Sequence, residues 1–229
     1  MKTCIYLSYK GLGANLLHLT YCHEIAKKYG PITIITLCGN LEAALKDDPL
    51  IKKVVFINKY HKRFMDILKL KKFLNTFNFD KIFIYYPSLR IYLASILSNI
   101  KEVHSYPVFK KKNLHLIEAA KTFTEKSLGI NNCPTETNFF IKKNKLEEIN
   151  KNFNNSKFKI VIGAGSSGPT TRWVTKNFYT LINKLNNNGD YYFFILCGPN
   201  DKILSDEIIT NVTKNNCLSL YNKKIEEII

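Results

Sequence analysis

Runs of β-branched, aliphatic and aromatic residues punctuate the chain: "TCIYLSY" (Thr3–Tyr9), "ITIITLC" (Ile32–Cys38), "VVFI" (Val54–Ile57) and "KIFIYY" (Lys81–Tyr86). Their apolar residues follow one another without the in–out alternation of a half-exposed strand, which is the pattern of a strand covered on both faces. Between the runs lie stretches with helical spacing, as at Leu16, Leu19, Cys22, His23 and Ala26. Strands separated by helices predict a parallel sheet wound on both sides. Residues 1–140 therefore read as one doubly wound α/β domain, closing with the strand "EVHSY" (Glu102–Tyr106) and a helix over Leu114–Leu128.

The pattern then lapses. Residues 141–157, "IKKNKLEEINKNFNNSK", are polar and Asn-rich and read as a linker with a short helix around Leu146. A second α/β pattern occupies residues 158–229: strand Phe158–Ile162, a glycine-rich loop, helix Asn177–Leu185, strand "YYFFILC" (Tyr191–Cys197), helix Leu204–Val212 and strand Leu218–Leu220. Three strands are few for a domain of this kind, so the second unit reads as truncated, with apolar surface expected along "YYFFILC" and an unpaired sheet edge.

Composition narrows the class. No run approaches the roughly 18 apolar residues of a membrane span, and "MKTCIYLSY" reads as a first strand rather than a signal peptide, which places the chain in the cytoplasm. The six cysteines form no C-x-x-C pair and several sit in apolar runs, so buried free thiols are expected and neither a metal cluster nor a disulfide framework is. A net charge of +16 raises nucleic-acid binding. The charge is almost all lysine, spread along the chain, with Arg63, Arg90 and Arg172 the only arginines; a dedicated reader of phosphates and bases favours arginine, so no nucleic acid is expected. Attraction to anionic membrane surfaces remains open. The stretch "KYHKRFMDILKLKKF" (Lys59–Phe73) places Phe64, Ile67 and Leu68 on one face with cations elsewhere, which fits a helix packed on the sheet with a solvated basic side, or one resting on anionic lipid. The run Lys110–Lys112 reads as solvated.

Two glycine loops follow strands, the place where open α/β sheets collect ligands. In "YKGLGANLLHL" (Tyr9–Leu19), Gly11 and Gly13 permit a sharp turn, and a helix starting near Asn15 points free N–H groups at the crevice. The third glycine and the acidic residue of a dinucleotide fingerprint are missing, so a nicotinamide cofactor is not expected. In "IVIGAGSSGPTTRWVTKNF" (Ile160–Phe178), Gly163, Gly165 and Gly168 open the main chain to a ligand. Ser166, Ser167, Thr170 and Thr171 offer hydroxyls there, and Arg172 offers a cationic fork. That set suits a diphosphate and lacks the G-K-[ST] of a P-loop. The same residues also describe a plain surface turn with Trp173 packed on the following helix. Five histidines include no facing pair; His18 on the first helix is either a lining group or a hydrogen-bonded structural one.

At these residues the sequence resembles the heptosyltransferase family, glycosyltransferase family 9. The likeness lies in "KGLGANLLHLTYCHEIAKKYG" with "ITIITLCGN" and "DDPLIKKVVFI", in "GAGSSGPTTRWVTKNFYTLINKL", and in "YYFFILCGPNDK". The resemblance implies a GT-B fold of two Rossmann-like domains and an inverting, metal-free and cofactor-free transfer of a heptose-like sugar. The partners it implies are a nucleotide-sugar donor and a lipid-linked or glycan acceptor of lipopolysaccharide or envelope assembly. It carries a donor role onto Ser166, Ser167, Gly168, Thr170, Thr171 and Arg172, with Gly198 and Asp201 on the nucleotide side, and an acceptor-side role onto Lys10, Gly11, Gly13 and Asn15.

Three departures qualify what the resemblance implies. The family's acidic residue after Gly-x-Gly, an expected general base, is Ala14, which leaves Asn15 and His18 as the nearest groups to test. Thr171 stands where lysine is frequent, and the family's Asp-Thr-Gly-x-x-His segment does not occur before Ile229. The expectation is a family member with little transfer activity, peripheral to the inner membrane at most. The alternatives are an inactive or fragmentary sugar-nucleotide-binding relative and a basic nucleic-acid-binding protein.

Overall fold

The computed structural model describes residues 1–58, 65–107, 114–152, 157–165 and 173–228. The chain forms two compact units, Met1–Lys142 and Lys143–Ile229.

In the first unit five parallel strands, β1 (Thr3–Leu7), β2 (Ile32–Thr36), β3 (Ile51–Phe56), β4 (Lys81–Ile84) and β5 (Glu102–Ser105), lie in the order β3-β2-β1-β4-β5. The chain starts in the middle, winds outward to β3, then crosses back to β4. Right-handed crossovers in opposite directions put helices on opposite faces. One face carries Ile5, Leu7, Ile32, Ile34, Phe83 and Tyr85, packed with helix α2 (Leu19–Tyr29), the short α3 (Leu41–Ala44) and α6 (Leu116–Leu128). The other carries Cys4, Tyr6, Ile35, Ile82 and Ile84 against α4 (Asp66–Asn75) and α5 (Leu89–Ile96). Successive residues of each central strand thus enter different cores, which is why these runs are apolar throughout.

Several boundaries differ from the sequence reading. β1, β2 and β4 end two residues earlier than their apolar runs, because Ser8, Tyr9, Leu37, Cys38, Tyr85 and Tyr86 already belong to the loops at the strand ends. The helix expected from about Asn15 is two: α1 (Leu12–Leu16) closes with the Leu17 N–H on the Gly13 carbonyl, and α2 restarts at Leu19. In α4, Ile67 is buried with Leu70 and Leu74 whereas Leu68 faces out; Ile67 and Leu68 do not share a face, since neighbours on a helix lie about 100° apart. Residues 59–64 of that stretch and Lys110–Lys112 lie outside the described residues.

The six cysteines are free thiols, five of them buried. Burial pushes the Cys4 and Cys22 thiols up, so they stay protonated at neutral pH and act as small apolar groups. No helix among the described residues is long and apolar enough to cross a membrane.

The second unit begins with α7 (Lys143–Asn152), inside the stretch expected as linker. A three-stranded parallel sheet follows in the order β6-β7-β8: β6 (Phe158–Gly163), β7 (Tyr191–Leu196) and β8 (Cys217–Ser219). Helices α8 (Thr175–Asn188) and α9 (Lys202–Asn211) link them, and the short α10 (Ile225–Ile228) closes the described chain. Because the strands advance in one direction, both crossover helices lie on one face, where Phe178, Ile182, Phe193, Ile195 and Ile208 form the core. Along "YYFFILC" only alternate residues could reach that core. Phe193 and Ile195 are fully buried, whereas Tyr192, Phe194 and Leu196 on the other face are half-buried rather than exposed.

One buried polar pair ties α2 to the approach to β3. His23 Nε2 lies 2.6 Å from Asp48 Oδ2, and Asp48 Oδ1 accepts the Leu50 N–H at 3.0 Å. Asp48→Ala removes the acceptor of both donors inside the fold. The expected loss is about 3 kcal/mol of unfolding free energy, read by urea denaturation; a change under about 0.5 kcal/mol would show that water replaces the carboxylate.

Candidate functional site

Winding from the middle of the sheet gathers the loops that follow β1, β4 and β5 at one edge. The β1 loop is held from within. Asn15 is buried, and its Nδ2 donates to the Tyr9 carbonyl at 3.0 Å and the Gly11 carbonyl at 2.7 Å, while its Oδ1 accepts from Thr36 Oγ1 at 2.8 Å. Thr36 in turn accepts the Cys38 N–H at 3.0 Å. The amide therefore fixes the loop against the end of β2 with its donors and acceptor engaged, and it faces the interior.

Around that brace stand three groups to which the family resemblance gives an acceptor-side role: Lys10, Gly11 and Gly13, all exposed. Gly11 has φ −76°, a conformation open to any residue, and a Cβ at Gly11 or Gly13 would meet nothing within 4 Å. The turn does not require glycine at either position. What the missing side chains leave is bare main chain beside open space.

His18 lies behind the loop with no solvent exposure. Its Nδ1 is 2.7 Å from the Ala14 carbonyl, so Nδ1 carries the hydrogen and donates, and Nε2 keeps its lone pair without a partner among the described residues. The ring stacks on Tyr9 at 4.9 Å and meets Tyr85 edge-on at 5.3 Å. Tyr9 donates its hydroxyl to the Tyr85 carbonyl at 3.0 Å, and Tyr86, partly exposed, stands edge-on to Tyr9 at 5.8 Å. By their place in the sequence Tyr9 and Tyr86 count as strand ends; in the structure they belong to the loops. The signal for Tyr9 was its place directly before Lys10-Gly11; nothing local marked Tyr86. Ala14 is half-buried and offers only its methyl group and its carbonyl, the latter taken by His18.

At the second sheet the loops after β6 and β7 meet. Ala164 donates its N–H to the Leu196 carbonyl at 3.0 Å, continuing the ladder past β6. The buried Asp201, ahead of α9, accepts the Gly198 N–H at 3.1 Å. A Cβ on Gly165 would lie 2.5 Å from Asp201 Oδ2 and 3.1 Å from the Gly198 nitrogen. Gly165 is therefore glycine because the neighbouring loop occupies the space, whereas a Cβ on Gly163 would meet nothing. Gly198 and Asp201, to which the family resemblance gives a nucleotide-side role, come together here beside Gly165. Ser166, Ser167, Gly168, Thr170, Thr171 and Arg172 lie outside the described residues. Where the chain resumes, Trp173 packs edge-on against Phe178 of α8 at 5.1 Å. Among the described residues no group of three or more His, Cys, Asp or Glu side chains is placed to hold a metal ion.

A family model described as glycosyltransferase family 9 (heptosyltransferase) matches residues 100–223, more than half of the chain and the part that contains the second loop. No curated protein matches the sequence significantly. Among solved structures, a glycosyltransferase family 9 protein of Veillonella parvula is similar with a TM-score of 0.74 at 15% identity, over 97% of this chain and 69% of its own. The E. coli ADP-heptose lipopolysaccharide heptosyltransferase II is similar with a TM-score of 0.71 at 13% identity, over 100% of this chain and 75% of its own. The E. coli heptosyltransferase WaaC with ADP gives 0.68 at 14%, over 100% and 77%. At such identities the structural likeness speaks for the fold: two parallel-sheet, Rossmann-like units of the GT-B kind, in a chain shorter than those it resembles.

His18 supplies a pH dependence that can be measured. Burial lowers its pKa from 6.5 to about 4, outweighing the Ala14 contact, which acts the other way. Between those values the unfolded chain binds a proton that the folded chain does not, so stability rises with pH across this window and is lost as pH falls through it. The loss from about pH 6.5 to 4 amounts to about 3 kcal/mol. Urea unfolding at both ends of the window should show a loss smaller by that amount in His18→Gln than in the unmodified protein; equal losses would assign the effect to other groups.

Proposed function

Since the chain belongs to glycosyltransferase family 9 (heptosyltransferase), we propose that it binds a nucleoside diphosphate sugar through the second glycine-rich loop and transfers a heptose-like sugar, with inversion, to an acceptor hydroxyl of lipopolysaccharide or a related envelope glycan. In this reading the protein works in the bacterial cytoplasm, at the inner face of the membrane. The observation that carries it is the family match over residues 100–223, which spans Ser166, Ser167, Gly168, Thr170, Thr171, Arg172, Gly198 and Asp201. The E. coli relative with ADP makes ADP the natural probe.

In the reaction the acceptor oxygen bonds to the anomeric carbon as the bond from that carbon to the diphosphate oxygen breaks. The electron pair leaves on the diphosphate, and the hydroxyl proton passes to a base. Hydroxyls and the Arg172 guanidinium neutralise the departing charge, because charge-assisted contacts strengthen as the negative charge develops. Gly165, seated against Asp201 and Gly198, sets the base from which that loop rises. Lys10 and the bare main chain of Gly11 and Gly13 receive the acceptor. Replacing Arg172 by Ala should weaken ADP binding by about 1–3 kcal/mol in titration calorimetry. Unchanged affinity for ADP, and for every other nucleoside diphosphate that binds, would take Arg172 out of the site.

One observation favours a second reading, a relative that binds the sugar nucleotide and turns it over slowly. None of the three groups at the base position offers a solvent-facing proton acceptor: Ala14 has only a methyl group, the Asn15 amide is engaged, and His18, though its Nε2 is unpartnered, is closed off from solvent. A positioned general base contributes roughly 100- to 10,000-fold. The two readings separate on Ala14→Asp, which should raise the transfer rate at unchanged ADP affinity if position 14 lacks only its base. Transfer by the unmodified chain at ordinary enzymatic rates, with no gain in the variant, would place the base elsewhere.

A further inference from the structure

On the face of the first sheet away from α2 and α6, helices α4 and α5 pack side by side, and the seam between them does not end in polar residues. Met65, Ile67, Leu68, Leu93 and Leu97 line a shallow groove there. Met65, Leu68 and Leu97 are 67%, 53% and 51% exposed, and Ile96 and Leu89 of the same surface are also exposed. Single exposed aliphatic residues need no explanation, but a contiguous set along two adjoining helices does. The inner sides of α4 and α5 are already covered by Ile67, Leu70, Leu74, Ile91 and Ala94 in the core, so the exposed parts of Met65, Leu68 and Leu97 add no burial to the fold.

Among the described residues of α4 and α5, the exposed charges bordering the seam are cationic, and the one carboxylate, Asp66, is buried. On α4, Met65, Leu68 and Lys72 follow one another at helical spacing, with Lys69 beside them. On α5, Arg90, Leu93 and Leu97 do the same. Lys69 leans toward Asp66, 3.7 Å away, whose own side chain is largely buried. Lys72 and Arg90 make no ion pair among the described residues. Aliphatic side chains backed by cations within a helical turn are the composition of a surface that seats at the boundary of an anionic bilayer, where methyl groups enter the acyl region and lysine stems reach back to the headgroups. A second copy of the chain would bring its own cations against these and carries the same net charge of +16, so self-association through this face is opposed electrostatically.

We propose that the α4–α5 seam, with Met65, Leu68 and Leu97 as the inserted residues and Lys69, Lys72 and Arg90 as the headgroup contacts, docks the protein on anionic lipid bilayers. This does not depend on the transferase reading: a chain that binds no nucleotide can still bind lipid through this face, and the reverse.

The test is co-sedimentation of the full chain with phosphatidylcholine–phosphatidylglycerol vesicles and with phosphatidylcholine vesicles, ADP binding being followed separately by calorimetry. The protein should partition onto the anionic vesicles, and less so as salt is raised. Leu68→Ser with Leu97→Ser leaves the charge untouched and should lower the partition coefficient at least about tenfold, since affinity scales with the apolar area inserted. Lys72→Glu with Arg90→Glu should lower it about 30-fold or more, two cations at the surface each being worth close to a factor of five. The same charge change on the opposite face, Lys27→Glu with Lys126→Glu, should cost far less. All these positions are at least partly exposed, and circular dichroism with a thermal melt identifies any variant that misfolds; for such a variant the Ser and Glu pairs stand in for each other. Failure of the unmodified protein to bind anionic vesicles overturns the proposal. So does equal binding to neutral vesicles, equal loss in the opposite-face control, or a serine pair that alters self-association in sedimentation while leaving vesicle binding unchanged.

Discussion

A parallel sheet can be continued only by crossing over, and each crossover delivers a helix to one face and a loop to the end of a strand. In the first unit this constraint governs nearly everything else. Because β1 lies in the middle of the order β3-β2-β1-β4-β5, the crossovers run both ways and both faces are covered. The loops after β1 and β4 therefore stand next to each other, which brings Tyr9 and Tyr86, far apart in the chain, within 5.8 Å. The second unit obeys the same rule with a different result. Its order β6-β7-β8 advances one way, so α8 and α9 share a face, and Gly165 after β6 is driven against Gly198 and Asp201 after β7.

At both sheets the main chain of the loops is held by side chains turned inward. Asn15 spends its hydrogen bonds on the carbonyls of Tyr9 and Gly11 and on Thr36, and His18 spends one on Ala14. Such bonds are worth making because an unpaired buried carbonyl is costly. The two residues differ in what is left over: the Asn15 amide has no free lone pair for a proton, whereas His18 keeps the Nε2 lone pair but is shut away from solvent. What faces outward at this loop is Lys10 and the bare main chain of Gly11 and Gly13.

The charge of the chain has two different expressions. On the first sheet, Lys81 is largely buried, bonds the half-exposed Glu102 on the next strand and lies over the Tyr29 ring at 5.0 Å. On the outer side of α4 and α5, lysine and arginine border exposed leucine and methionine instead of carboxylates. The sequence marks cations beside apolar residues in the stretch that contains α4, but not the partnership with α5, which depends on which residues of two separate helices end up side by side.

The sequence by itself determined the elements and their class. Unbroken apolar runs at β1, β2 and β4 can be stable only when both sides of a strand are covered, and burial of that kind is a property of the run itself. The positions of the two glycine loops followed from the strands before them, as did the family likeness, which rests on residue order. Only the tertiary structure decided which way individual residues face and what they touch. Ile67 and Leu68 are equally apolar, but the rotation of α4 on the sheet buried one and exposed the other. His18 could be read as a lining or a structural group until the Ala14 carbonyl made it structural, Asn15, given an acceptor-side role by the resemblance, is engaged with Thr36, and Gly165 proved to be glycine because a loop more than thirty positions away in the chain fills the space a side chain would need. Periodicity is set by local geometry and the partition of side chains from water. Partners, by contrast, are set by the packing of segments distant in the chain, which no local pattern encodes.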